Sequence, residues 1–268
     1  MIPGLKQYTL YFLCLFPWSL PGQVNPGPRI TAMGMTGVAL QDVWSIQSNQ
    51  AGMTAIRSLT ISAAYESEFL NPDLSKQSFL VIYPDKRNIF GISFQNYGFS
   101  AYNEQRAGIT YARSFGNISA ALNFNYHLIK IQQYGSTQTY SAEAGLQYVL
   151  NDKLLIGTHI ANPNRSTYNG HVSASIPVFI ELGFSYKISD NLLLASGITK
   201  ALNSPADVKA GLEYSLAGWL DLRGGVSVNP FRQYIGIGCK YQNLRFDAAS
   251  ASHVALGYSP QVALSYEF

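Results

Sequence analysis

The chain closes on Val262-Ala263-Leu264-Ser265-Tyr266-Glu267-Phe268, a run that alternates apolar and polar side chains and stops on an aromatic. The same period of two recurs from about residue 58 onward. It is clearest from Ile118 to Leu128, where apolar side chains take the even positions and Ser119, Ala121, Asn123, Asn125 and His127 the odd ones. Tyr140 to Tyr148, Ile180 to Lys187 and Val208 to Leu216 repeat the pattern. No stretch supplies the roughly 20 consecutive apolar residues that a membrane helix needs. Strands cross a bilayer only as a closed sheet, because lipid offers the backbone no hydrogen-bond partner; apolar side chains then face lipid and polar ones the lumen. The pattern predicts an all-β chain, a transmembrane up-and-down antiparallel β-barrel.

A soluble sandwich also alternates, so the connections decide. Short turns fall at about Pro84 to Asn88, Ser114 to Asn117, Leu150 to Lys153, Ile188 to Asn191, Ala217-Gly218 and Gln242-Asn243, with hairpin residues at their tips. Longer connections are predicted between them, at about 67–75, 98–104, 131–137, 162–177, 200–206, 229–232 and 251–259. Strict alternation of short and long gives about fourteen strands with both termini on the short-turn side, the layout of barrels with periplasmic termini in the outer membrane of a Gram-negative bacterium. Tyr83, Phe115, Tyr148, Tyr186, Trp219, Tyr241, Tyr266 and Phe268 lie within a few residues of those turns or of the C-terminus, where an interfacial aromatic girdle belongs.

Composition agrees. Only 12% of the 268 residues are charged, about half the usual quarter, while Tyr and Phe number 18 and 14. A formal net charge of +3, dispersed among turns and loops, forms no basic stripe, and nucleic-acid binding is discarded. Residues 1–22 read as a signal peptide: Lys6 gives the positive region, Leu10 to Phe16 the apolar core and Ser19-Leu20-Pro21-Gly22 the cleavage region. Cys14 falls inside that signal, so the mature chain keeps Cys239 alone and has no internal disulfide.

Between the signal and the barrel of residues 58–268, the segment 23–57 is too apolar for a free linker. It carries Arg29, Met33, Gly34, Gly37, Asp42, Trp44, Asn49 and Gly52, and a lumen lined by Gly145, Gly183, Gly211, Gly236 and Gly238 offers it a place. The predicted reading is an N-terminal hatch in the lumen, with Met33, Met35 and Met53 packing it.

The motif residues Arg29, Ala32-Met33-Gly34, Gly37-Val38-Ala39, Asp42 and Asn49-x-Ala51-Gly52 resemble those of outer-membrane barrels related to long-chain fatty-acid transporters, particularly the PorV/PorQ group associated with type IX secretion. The resemblance covers most of the chain in layout but only about 25 residues in motif. It implies fourteen strands, a luminal hatch and a last strand whose Tyr266 and Phe268 serve as an insertion signal for the barrel-assembly machinery. One departure stands out: the group's usual Asn-Pro-Ala-Gly is Asn49-Gln50-Ala51-Gly52 here.

Glu143, Glu181, Lys187, Lys209, Glu213 and Lys240, with Glu267, fall on the polar phase and are expected in the lumen, pairing with one another or holding the hatch through Arg29 and Asp42. His171-x-Ser173 is a spacing also found in barrel hydrolases, yet no Asn or Glu partner accompanies it; a solvated loop histidine is the plainer reading. His127, His159 and His253 are scattered and define no metal site. The expected protein is a non-enzymatic barrel without cofactor or metal, in contact with outer-membrane lipid, that supports protein secretion, surface attachment or another envelope partner. The alternative is passive uptake of fatty-acid-like hydrophobic molecules.

Overall fold

The computed structural model describes residues 24–168 and 175–268. The predicted signal peptide and the His171-x-Ser173 pair lie outside the described residues. Fourteen antiparallel strands close into one barrel. They are β1 Thr60–Ser67, β2 Ser75–Asp85, β3 Asn88–Gly98, β4 Tyr102–Phe115, β5 Ile118–Ile131, β6 Gly135–Val149, β7 Leu154–Ala161, β8 Phe179–Ser189, β9 Leu192–Ala201, β10 Asp207–Ala217, β11 Leu220–Val228, β12 Phe231–Tyr241, β13 Leu244–His253 and β14 Gly257–Glu267. Each strand pairs with its sequence neighbour, and β14 returns to β1 through pairs such as Thr60 with Glu267 and Ala64 with Ala263. Closure removes both sheet edges, as the bilayer requires.

The alternation read from the sequence is the alternation of the wall. Leu122, Phe124, Ile109, Ile180, Leu182, Leu212 and Leu264 are exposed on the outside, while Asn123, Asn125, Thr110, Glu143, Gln147 and Ser265 are buried within. The eight aromatics assigned to the girdle are all exposed. Tyr266 and Phe268 stack edge-on with centroids 4.7 Å apart, and the Phe268 N–H donates to the Leu59 C=O at 2.9 Å.

All six short turns lie where the hairpin chemistry puts them. The opposite end differs from expectation. Strands run further up than the polar composition suggests, so the connections at 99–101, 132–134, 229–230 and 254–256 are themselves tight. Beyond the apolar belt a strand needs no apolar face, and Asn103 and Gln105 extend β4, as Ser136 and Gln138 extend β6, without it. The connections at 68–74 and 162–178 are the longer ones, as expected.

Residues 24–59 do not cross the barrel wall. They lie inside it, as a short helix Pro28–Ala32 followed by tight 3-10 turns at Gly37–Ala39, Val43–Gln47 and Gln50–Ala55. From Val24 to Ile56 only Gln41 is exposed.

Candidate functional site

The interior is built where this inner segment meets the wall, and small residues on the wall make room for it. A Cβ at Gly211 would collide with the Met33 backbone, one at Gly157 with the Val38 C=O, one at Gly225 with Gly34, and one at Gly145 with the Asn49 side chain. Of the five glycines picked out from the sequence, Gly145, Gly183, Gly211 and Gly236 abut the inner segment, whereas Gly238 makes room for Arg223.

Bare wall backbone then becomes a hydrogen-bonding surface. Asn49 caps the last 3-10 turn with its Oδ1, which accepts the Ala51 N–H at 3.2 Å. Its amide donates to the Val38 C=O at 2.7 Å and to two wall carbonyls, Leu146 at 3.0 Å and Thr158 at 3.2 Å. Gln147 reaches inward to the carbonyls of Val38 and Leu40, and the Thr54 hydroxyl donates to Ser119 at 2.7 Å. Gly52 allows the turn to pass close to Leu40 and Ser45, and Gly37 leaves space for Ser48 and Ile30. The centre is apolar: Ile30, Met33, Leu40, Val43, Trp44, Ile46 and Met53 are buried together against Leu80, Ile82, Ile89 and Ala195. Met35 is half-buried.

Charged side chains flank this core in two sets. On one side Arg29 forms a two-pronged ion pair with Glu213, Nε to Oε2 at 2.7 Å and Nη2 to Oε1 at 2.6 Å, and its third nitrogen reaches Asp42 at 3.0 Å. Asp42 also caps the turn at Val43, accepting the Trp44 N–H while Ser45 accepts its own N–H, a reciprocal capping box. Burial would push its carboxyl up, but Arg29 and Arg245 outweigh that and hold it below the usual carboxylate range. The ladder continues through the fully buried Arg223, which binds Glu213 and Asp247 at 2.6 Å each and Asp221 at 3.2 Å, and ends at Arg245.

The other set centres on Glu143. It accepts from Arg106, from Asn125 at 3.0 Å and from Gln50 of the inner segment, whose neighbour Gln47 in turn accepts from Arg106 at 3.2 Å. His159 lies between two carboxylates, Nε2 3.4 Å from Glu143 and Nδ1 3.4 Å from Glu181. Glu181 is held by Thr199 at 2.7 Å and Lys209 at 3.4 Å.

Glu143, Glu181, Lys209 and Glu213 thus face the lumen and pair there. Lys187 and Lys240 require correction. They sit on the inward phase but at the short-turn rim, where both are exposed, Lys187 next to a register shift in β8; no ion pair joins them to either set among the described residues. Lys240 instead lines a groove of about 240 Å³ at that mouth with Gln242, Asn243, Leu244, Arg245 and Glu267. Sequence reading missed Arg106, Arg223, Asp221, Asp247 and Arg245. The signal was available, since each shares its strand's inward parity with small or polar residues such as Gly108 and Ser227. His127 is inward-facing and bonded to Ser141 at 2.8 Å, while His253 sits at the long-loop rim with its ring edge-on to Phe69.

Fold and interior together define a membrane-spanning β-barrel with its N-terminal segment packed against inward-facing residues of the wall. Solved structures share this fold. The monoaromatic hydrocarbon channel CymD aligns over 92% of this chain and 99% of its own, with a TM-score of 0.70 and 12% identity. The Pseudomonas putida toluene transporter TodX aligns over 92% and 97% (TM-score 0.68, 11% identity), and the Ralstonia pickettii toluene transporter TbuX over 90% and 98% (0.64, 12%). No family model and no curated protein sequence matches the chain.

Proposed function

We propose that this chain is a non-enzymatic barrel of the outer membrane of a Gram-negative bacterium that admits hydrophobic small molecules, fatty-acid-like or aromatic, by passive passage beside its inner segment. In this reading residues 1–22 are a signal peptide, 23–57 the hatch and 58–268 the barrel. The termini face the periplasm, and Tyr266 and Phe268 are the signal read by the assembly machinery. The observation that carries it is the apolar character of the plug. Ile30, Met33, Leu40, Trp44, Ile46 and Met53 occupy the lumen where a porin keeps water. Ions and sugars gain nothing from such side chains, whereas a greasy solute partitions favourably against them when the segment shifts. The likeness to barrels described as hydrocarbon channels and toluene transporters supports the same reading.

A second reading follows the resemblance to the PorV/PorQ group, in which the barrel serves secretion or surface attachment through a partner; the tight filling of the lumen from Val24 to Ile56 favours it. It ranks second because an envelope partner does not require an apolar lumen.

The two separate in one experiment. A deletion strain and its complemented counterpart are assayed for uptake of labelled oleate and toluene, and for surface and secreted proteins. Uptake that falls on deletion and returns with the wild-type gene, with secretion intact, is the expected result. Intact uptake with altered surface proteins would overturn the ranking.

A further inference from the structure

Arg113 stands on the lipid side of the wall. Arg106, Thr110 and Ala112 of β4 are buried within the barrel, so the odd positions Ile109, Tyr111, Arg113 and Phe115 point outward, and all four are exposed. Arg113 pairs with Asn88 of β3 and Ala120 of β5, one outward step from the pair Tyr111 with Leu122. It therefore leaves the wall roughly 7 Å nearer the short turn than Leu122. In the strand ends on the short-turn side, Arg113 is the one cation on the outward phase among the described residues; Lys187 and Lys240 are on the inward phase.

A charge on a lipid-facing position is costly unless its head reaches the interface. Arg113 has the means to reach it. Its guanidinium carbon lies 5.3 Å from the centroid of the Phe115 ring, so the side chain is turned toward the short turn and rests on an aromatic of the girdle. Behind it Tyr111 packs on Phe90, with ring centroids 5.5 Å apart, and its hydroxyl donates to Asn88 Oδ1 at 2.9 Å.

Two more cations adjoin this one. The Ser114 N–H donates to the Arg87 C=O at 3.4 Å, which ties the β4–β5 end to the β2–β3 turn and brings Lys86 and Arg87 beside Arg113. Both are exposed. None of the three enters an ion pair among the described residues. The single carboxylate here is Asp85, which pairs with Asn88 and so stands two strands away from Arg113, roughly 10 Å. Three cations against one carboxylate leave this sector at +2. The other short turns balance or carry nothing: Asp152 faces Lys153 in one, Asp190 stands in the next, and Ala217-Gly218 and Gln242-Asn243 are uncharged. Val24, the first described residue, lies away from this rim, next to Asn25, whose N–H donates to Gln95 inside the barrel.

We propose that the outer face of the short-turn rim from β2 to β5 is a binding site for the headgroup of an anionic phospholipid. Arg113 donates to the phosphate, for which a guanidinium has the matching two-pronged geometry. Lys86 and Arg87 supply the surrounding positive field. The occupant is a lipid because the site opens onto the membrane interface, with the outward faces of Phe90, Tyr111 and Leu122 continuing from it as a track for an acyl chain. It is an anionic lipid because a zwitterionic one brings its own ammonium group against Lys86 and Arg87. The site needs only that the barrel spans a membrane, and it stands whether or not the lumen conducts.

The test is native mass spectrometry of the folded, delipidated full barrel in detergent, titrated with dioleoyl-phosphatidylglycerol or dioleoyl-phosphatidylcholine. The wild type is expected to retain phosphatidylglycerol about tenfold better than phosphatidylcholine. Arg113→Gln lowers retention of phosphatidylglycerol by about the same factor, and Lys86→Gln combined with Arg87→Gln narrows the difference between the two lipids. Lys153→Gln, on another turn of the same rim, leaves both unchanged, and excess inorganic phosphate does not displace the lipid. Equal retention of the two lipids by the wild type, undiminished retention by Arg113→Gln, an equal loss in Lys153→Gln, or displacement by phosphate would each overturn the proposal. Folding of each variant is checked by circular dichroism. Where Arg113→Gln fails to fold, the double turn variant decides, and an unchanged lipid preference in it overturns the proposal.

Discussion

The side-chain amide of Gln50 donates to a carboxylate oxygen of Glu143 across the lumen, and both residues are buried. Proline at this position would offer no side-chain donor. Gln50 is the first residue of a 3-10 turn, where proline is tolerated by the backbone. Gln50→Pro and Gln50→Ala are therefore expected to cost similar amounts, about 1–3 kcal/mol each, because both leave Glu143 one donor short. Equilibrium unfolding in lipid vesicles checks it. A neutral Gln50→Pro beside a costly Gln50→Ala would assign the loss to the turn and not to the amide.

Arg29 joins the inner segment to β10. Replacing it with Met leaves Asp42 buried without its nearest cation, while Glu213 keeps Arg223, and the expected loss is about 3 kcal/mol. Arg29→Lys should recover only part of this, since an ammonium cannot make the two-pronged contact. The pH dependence has a definite sign. The folded-state pKa of Asp42 is depressed, so its contribution is present above the unfolded value and is lost as pH falls through the folded one. Removing Arg29 raises the folded value, and acid unfolding of Arg29→Met should begin at higher pH than in the wild type.

Close backbone approach is testable at Gly211. A methyl group there meets the Met33 carbonyl, whereas at Gly224, on the outer face, the nearest atom is the Tyr234 oxygen at 3.9 Å. Gly211→Ala should cost about 1–3 kcal/mol by forcing the inner segment off the wall, and Gly224→Ala should be close to neutral. Equal effects, measured by unfolding, would place the inner segment away from β10.

Deleting Ile30 to Ser48 removes most of the apolar core while leaving every strand and its pairing intact. The emptied lumen keeps Glu143, Arg106, Glu181, Lys209 and Glu213, which favour water. Single-channel conductance in planar bilayers should rise from near zero to that of an open pore. A folded deletion variant with unchanged conductance would contradict the plug.

Depth in the membrane governs the outer face. Leu122, Leu182 and Leu212 are exposed near mid-strand, so an Arg at any of them should cost roughly 2–4 kcal/mol, while Val254→Arg at a loop tip should cost roughly 0–1 kcal/mol. Reversal of that order in vesicle unfolding would misplace the lipid belt.

The alternation of Ile118 to Leu128 and of Val262 to Phe268 was sufficient to determine strands, their two faces, the turns and closure into a barrel, because a bilayer leaves an alternating chain no other way to satisfy its backbone. Residues at Asn49, Gly52, Arg29 and Asp42 could be singled out as well, since turns, caps and a lone cation in an apolar stretch leave local marks. Their partners could not. Arg29 meets Glu213 and Gln50 meets Glu143 only after more than ninety intervening residues have been wound into a closed sheet. Parity tells which side chains point inward, but not at what height they meet or which reach the rim, and for that reason Lys187 and Lys240 were expected inside and lie at the mouth.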